Sequence, residues 1–102
     1  MRYFMHLAYN GFRYYGWQIQ ADQISVQAVI SDAMKKIMKE DIALTGTGRT
    51  DTGVHARSFY AHFDTRQTFD EKDIKNLIHR LNSFLPNDII IFNIFYSSNS
   101  IN

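Results

Sequence analysis

At 102 residues, 45% of them hydrophobic and 21% charged, the chain has the size and make-up of one globular domain with a modest core and no room for a second domain. A formal charge of +1 gives no sign of a broadly basic nucleic-acid-binding surface, so any cationic patch must be local. The absence of cysteine excludes disulfides and thiolate metal sites. Charge and imidazole interrupt the first six residues before any apolar run of signal-peptide length, and no segment approaches a membrane span, so the expected location is the cytoplasm.

Tyr3 to Tyr9 reads as a strand with Tyr3, Met5, Leu7 and Tyr9 on one face and Phe4, His6 and Ala8 on the other. Asn10 and Gly11 end it. The stretch from Phe12 to Gln20 fits neither period and is crowded with aromatics. It suits an aromatic plug over the core, or a loop that stacks bases on its rings and touches phosphate through Arg13. Ser25 is placed to cap a helix whose apolar positions are Val26, Val29, Ile30, Ala33 and Ile37, with Lys35, Lys36 and Lys39 favouring its carboxyl end. A short strand is expected over Ile42 to Leu44.

Residues 44–56 then hold three glycines, four threonines, Arg49, Asp51 and His55, a density of special backbone and reactive side chains that an ordinary turn does not need. Glycine admits positive φ and close backbone approach. On such a loop the Asp51 carboxylate could be a nucleophile, a general base, a metal ligand or only a turn cap. Arg49 would favour its ionised form or clamp a phosphate.

Ser58 to Asp64 alternates as a strand, with Phe59, Ala61 and Phe63 on one side. Thr68 and Glu71 have capping-box spacing ahead of a second helix striped by Ile74, Leu77, Ile78, Leu81 and Leu85, which Pro86 ends. Residues 88–96 form a nearly continuous apolar strand, the pattern of a sheet covered on both faces, and 97–102 are a polar tail expected to be loose. The order is α+β with βαββαβ topology: a ferredoxin-like four-stranded antiparallel sheet with two helices on one face, spanning 1–96. One face is thus left without helices, and the apolar last strand implies that something outside the fold covers it.

Three other readings of the loop have less support. Asp51-Thr-Gly53 spells the triplet of aspartic proteases, but those are all-β and lead into the aspartate with apolar residues. A metal site of Asp51 and His55, with His62 as a third ligand, stays open but lacks any recognised ligand spacing. The glycines do not match a dinucleotide or P-loop pattern.

Gly48-Arg-Thr-Asp-Thr-Gly-Val-His-Ala56 closely resembles the signature of the tRNA pseudouridine synthase A family. Tyr9 to Gln20, Ser25 to Gln27, His62 to Thr65 and Leu81 to Ile89 resemble further blocks of that family, in the same order and over nearly the whole chain. The resemblance implies an isomerase that converts uridine to pseudouridine in the anticodon arm of tRNA, without cofactor or metal, and a homodimer for the full-length enzyme. Asp51 matches the catalytic aspartate and would be the nucleophile. Arg49 matches the arginine that holds the RNA and keeps the target base out of its stack; Arg13 and Trp17 become RNA contacts; Gly48, Thr50, Gly53 and His55 shape the loop. Members of the family are much longer, and the second half that completes their cleft has no counterpart here. The resemblance therefore implies an amino-terminal fragment, inactive or nearly so alone, whose bare sheet face belongs beside the other half. A stand-alone ferredoxin-like RNA-binding module without catalysis is the alternative. It is weakened because the conspicuous aromatics Phe12, Tyr14, Tyr15 and Trp17 fall in a loop rather than on the open face.

Overall fold

The computed structural model describes residues 1–10, 25–46 and 56–96. Six elements follow in the expected order: β1 (Arg2–Tyr9), α1 (Val26–Met38), β2 (Leu44–Gly46), β3 (Ala56–Asp64), α2 (Glu71–Phe84) and β4 (Ile89–Tyr96). The strands form one antiparallel sheet in the order β2-β3-β1-β4, and both helices lie on one face, the α+β ferredoxin-like arrangement. No helix among the described residues is long and apolar enough to cross a membrane.

The period-2 pattern of β1 decides which way the sheet faces. Tyr3, Met5, Leu7 and Tyr9 are buried under the helices, and Phe59, Ala61 and Phe63 of β3 join them. Tyr3 anchors one end of this core: its ring lies 5.8 Å from Phe63 and 5.3 Å from Phe69, and its hydroxyl accepts from the Phe69 amide at 3.0 Å. The helices add Val26, Ile30, Ala33 and Met34 from α1 and Leu77 and Leu81 from α2. Each aliphatic side chain fully buried here contributes about 1.5–3 kcal/mol. Val29 and Ile37, expected on the buried stripe of α1, pack only at its border, while Met34 and Met38 take core positions. The unbranched thioether adapts to the irregular space between α1 and the sheet.

The expected boundaries shift at two places. The short strand is Leu44–Gly46 rather than 42–44: Ile42 is buried but precedes the ladder, whose pairs are Leu44 with Phe63, Thr45 with His62 and Gly46 with Ala61. The capping box of α2 is made by Asp70 and Asp73, not by Thr68 and Glu71. The Asp70 carboxylate accepts from the Asp73 amide at 2.8 Å, and Asp73 returns the bond to the Asp70 amide at 3.1 Å. The Thr68 hydroxyl instead donates to Met1 Sδ at 3.2 Å. A carboxylate at the cap satisfies the amides and also meets the positive end of the helix, an advantage threonine lacks.

β4 departs from the expected two-sided burial. Ile89, Ile91 and Ile94 point into the core, whereas Ile90 and Phe92 are exposed. The change of phase between Ile91 and Ile94 is a bulge: His6 pairs with Asn93 and Leu7 with Ile91, which leaves Phe92 as the extra residue. The helix-free face is bare as the topology requires, and it is lined with rings. Phe4 stacks on Phe95 at 5.8 Å; His6 stacks almost parallel on Tyr60 at 4.5 Å and tilts against Phe92 at 5.1 Å. Aromatics are thus presented on the open face of the strands, while Phe12, Tyr14, Tyr15 and Trp17, expected in a loop, lie outside the described residues.

Both outer strands are held by an amide side chain from a helix. Asn82 of α2 donates to the Ile91 carbonyl at 2.9 Å and accepts from the Ile91 amide at 2.8 Å, completing the backbone of β4 as a neighbouring strand would. Gln27 of α1 donates to the Leu44 carbonyl of β2.

Candidate active-site frame

The chain between β2 and β3 carries the aspartate motif, and the chain between β1 and α1 carries the aromatic segment. Tyr9 pairs with Ala56 on one side and with Ile89 on the other, and the Asn10 amide extends the ladder to the Asp88 carbonyl at 2.9 Å. Residue 11 therefore continues from, and residue 55 leads into, neighbouring points at one end of the central strands. Asp51, Arg49, Gly48, Thr50, Gly53 and His55, together with Arg13 and Trp17, lie outside the described residues, as does the tail 97–102. The structure supplies the frame from which these segments arise.

That frame is tied together from several directions. Ser25 is fully buried, and its hydroxyl accepts from the Ala28 amide at 3.2 Å, so α1 starts at a fixed point directly after the aromatic segment. At the second position of the helix, Gln27 reaches the Leu44 carbonyl and fixes α1 to the strand that leads into the aspartate motif. The first turn of α1 contains no acidic residue of its own, so the positive end of the helix dipole beside β2 favours anions. On the β3 side, Leu7 pairs with Phe59 but Tyr9 with Ala56, a bulge that falls on Arg57 and Ser58 directly after the motif. Ser58 is held to His6 by a 2.8 Å hydrogen bond between its Oγ and the ring Nε2. Bulges at such a rim re-aim the chain.

The same rim carries a shallow depression lined by Ala8, Asn10, Arg57, Asn87, Asp88 and Ile90. Arg57 is exposed there and offers a guanidinium for an anionic ligand such as phosphate. Sequence reasoning did not single out Arg57; its nearness to the motif was the only available signal. Gln27 and Asn82 fell within blocks matched to the family, but nothing in the sequence revealed that each would grip an outer strand.

The groups whose acidity is displaced lie at the opposite end of the sheet. The Arg2 guanidinium bonds both oxygens of Asp64 at 2.9 and 3.1 Å, which holds the Asp64 carboxyl below its ordinary range and raises Arg2 above its own. Glu40 is lowered chiefly by the Thr65 hydroxyl at 2.6 Å, with further bonds from the Arg66 amide and the Gln67 side chain. These contacts close the far end of the fold and are structural. Among the described residues, no three His, Asp or Glu side chains gather to hold a metal ion.

Comparison with known proteins gives one consistent result. The chain is 44% identical over 93 residues to "tRNA pseudouridine synthase A" of Azobacteroides pseudotrichonymphae and 41% identical over 93 residues to the protein of that name in Bacteroides fragilis, covering 91% of this chain and 36% of each relative. It is 47% identical over 85 residues to the one from Caldicellulosiruptor saccharolyticus, covering 83% of the chain and 34% of that protein. The chain thus spans about a third of the length of the curated relatives it matches. No family model matches it. The resemblance read from its motifs holds across nine-tenths of its residues.

Proposed function

We propose that this chain is the amino-terminal part of a tRNA pseudouridine synthase, an isomerase acting on uridine in the anticodon arm of tRNA in the cytoplasm, with Asp51 as its nucleophile. The observation that carries this reading is the identity of 44% over 91% of the chain to a protein of that name, in a stretch that includes the Asp51 motif. In the reaction the bond from the sugar C1′ to uracil N1 breaks and a bond from C1′ to C5 forms. The hydrogen of C5 leaves to solvent and N1 gains a proton, so no electrons are gained or lost. A carboxylate suits this chemistry because it can hold the nucleoside covalently while the uracil detaches, turns and rejoins.

Arg49 would hold the flipped nucleotide, and Arg13 and Trp17 would contact the RNA beside it. Gly48, Thr50, Gly53 and His55 would give the loop its shape. The strand ends from which both segments arise are neighbours, Tyr9 pairing with Ala56, and α1 is fixed to β2 by Gln27, which supports a shared site at that rim. Because relatives are about three times as long, this part supplies the aspartate and the remainder completes the cleft; the full-length protein acts as a homodimer. Half a cleft cannot orient base, sugar and carboxylate together, so the chain alone turns over little or not at all.

The test is a chimera in which residues 1–96 replace the matching segment of the Bacteroides fragilis relative, assayed by tritium release from tRNA labelled at uridine C5. Release is expected from the chimera and not from the chain alone. Asp51→Asn in the chimera should lower it by at least a thousandfold while tRNA binding is kept. Undiminished release would remove Asp51 from the nucleophile role.

A further inference from the structure

Charge gives the helix-free side of the sheet a direction. The charged side chains of the four strands, histidines aside, are Arg2, Arg57 and Asp64. At one end Arg2 and Asp64 neutralise each other through two hydrogen bonds. At the other end, where the aspartate motif enters β3, Arg57 is exposed and pairs with no carboxylate among the described residues. Asp88, the acid in the same depression, is itself engaged within the chain. That depression, floored by Ala8 and Ile90 beside Arg57, has a volume of about 360 Å³, in the ~300–1,000 Å³ range of small-ligand sites. Rings begin two residues further along β1, roughly 7 Å away. There His6 lies almost parallel to Tyr60, which is 42% exposed, and against Phe92, which is 48% exposed. The Ser58 hydroxyl, 2.8 Å from its Nε2, fixes the imidazole in that stack. A cation, a small hollow and a set of held rings thus follow one another inward from the motif.

We infer that this strip holds one unpaired nucleotide of the substrate RNA beside the target uridine, with its phosphate on Arg57, its sugar over Ala8 and Ile90, and its base on the rings of Tyr60 and Phe92. Guanidinium meets phosphate with two parallel hydrogen bonds. Aromatic side chains on a sheet stack bases without regard to their identity, and a cation beside them tracks the backbone. Asn87, exposed in the same lining, adds an amide for a sugar hydroxyl or a base edge. An apolar protein segment laid on this strip would cover the guanidinium without a counter-charge, which is costly; a phosphate supplies one. The inference rests on the tRNA reading above and adds to it a contact outside the aspartate motif, made by a residue that leaves the reacting atoms alone.

Titration of the 102-residue chain with a single-stranded oligouridylate should move the amide resonances of Arg57, Tyr60 and Phe92 together and leave those of α2 in place. Arg57→Gln should weaken this binding about fivefold or more and lower the slope of log affinity on log salt by about 0.7, the contribution of one phosphate. Phe92→Leu should weaken it about fivefold with the slope unchanged. Arg80→Gln, which removes the same charge from an exposed position on α2, should alter neither. In the chimera, Arg57→Gln should raise the KM for tRNA about fivefold with kcat kept, the mark of a contact made equally in ground and transition states. Resonances of β3 and β4 that stay still at millimolar oligonucleotide, or equal losses in Arg57→Gln and Arg80→Gln, would overturn the inference. So would a chain that self-associates through this face and shields Tyr60 and Phe92 from RNA. A chimera that releases no tritium while the shifts on β3 and β4 persist would count against the synthase reading and leave the subsite standing; release with an unaltered KM in Arg57→Gln would do the reverse.

Discussion

Glu40 shows how much of this fold rests on single polar side chains. Its carboxylate takes bonds from the Thr65 hydroxyl, the Arg66 amide and the Gln67 side chain, and Gln67 also bonds the Met38 carbonyl, so one group joins the end of α1 to the end of β3. Those bonds favour the ionised form and depress its pKa in the folded state. A depressed acid contributes stability that is fully present above its unfolded value, near 4.5, and is lost as pH falls through the lower folded value. Asp64 behaves in the same sense because Arg2 holds it ionised. The melting temperature should therefore fall as the pH drops below about 4, and Glu40→Gln should flatten that decline while lowering stability near neutrality. An acid limb as steep in Glu40→Gln as in the parent would assign the loss to other carboxylates. No local pattern marks this cluster, since its members lie 25 to 27 residues from Glu40 and meet it only after β3 has paired.

At the scale of elements, what was legible depended on how many local signals agreed. Ser25 stood alone before a periodic run, and it caps α1 as expected; Ser25→Ala should cost about 1 kcal/mol, measurable by urea denaturation, and a loss below a few tenths would mean that another group replaces the cap. Before α2 the spacing of Thr68 with Glu71 pointed to a capping box, and the structure uses a second pair two residues further on, Asp70 with Asp73. The helix field and two reciprocal carboxylate bonds decided for the second. In β4 five of the first six residues are isoleucine or phenylalanine, at 89–92 and 94, so no alternation revealed which one is skipped. Pairing with β1 set the bulge at Phe92, a tertiary outcome. The aspartate motif was legible as chemistry because its residues are contiguous in sequence, whereas the frame beneath it depends on Gln27 and Leu44, 17 residues apart.

For the whole molecule, the sheet has two kinds of boundary. Its broad helix-free face is apolar and open, while its outer strands are each engaged by an amide from the helical layer. Outer strands are where sheets ordinarily recruit further strands, and Asn82 removes that option at Ile91 by presenting the donor and acceptor that a neighbouring strand would have offered.

The grip of Asn82 also has a kinetic reading. An outward amide on a border strand trades its hydrogen with solvent quickly, because no other backbone must open first. The Ile91 amide should instead exchange at a rate set by the parting of α2 from β4, so that it reports on the docking of a helix rather than on local fraying. Deuterium exchange followed by NMR should show Ile91 among the slow amides of β4, and Asn82→Ala should bring it to the pace of other outward amides there. An unchanged rate in the variant would place its protection elsewhere. A strand at the border of the sheet would then hold one of the sensors of whether its two layers are together.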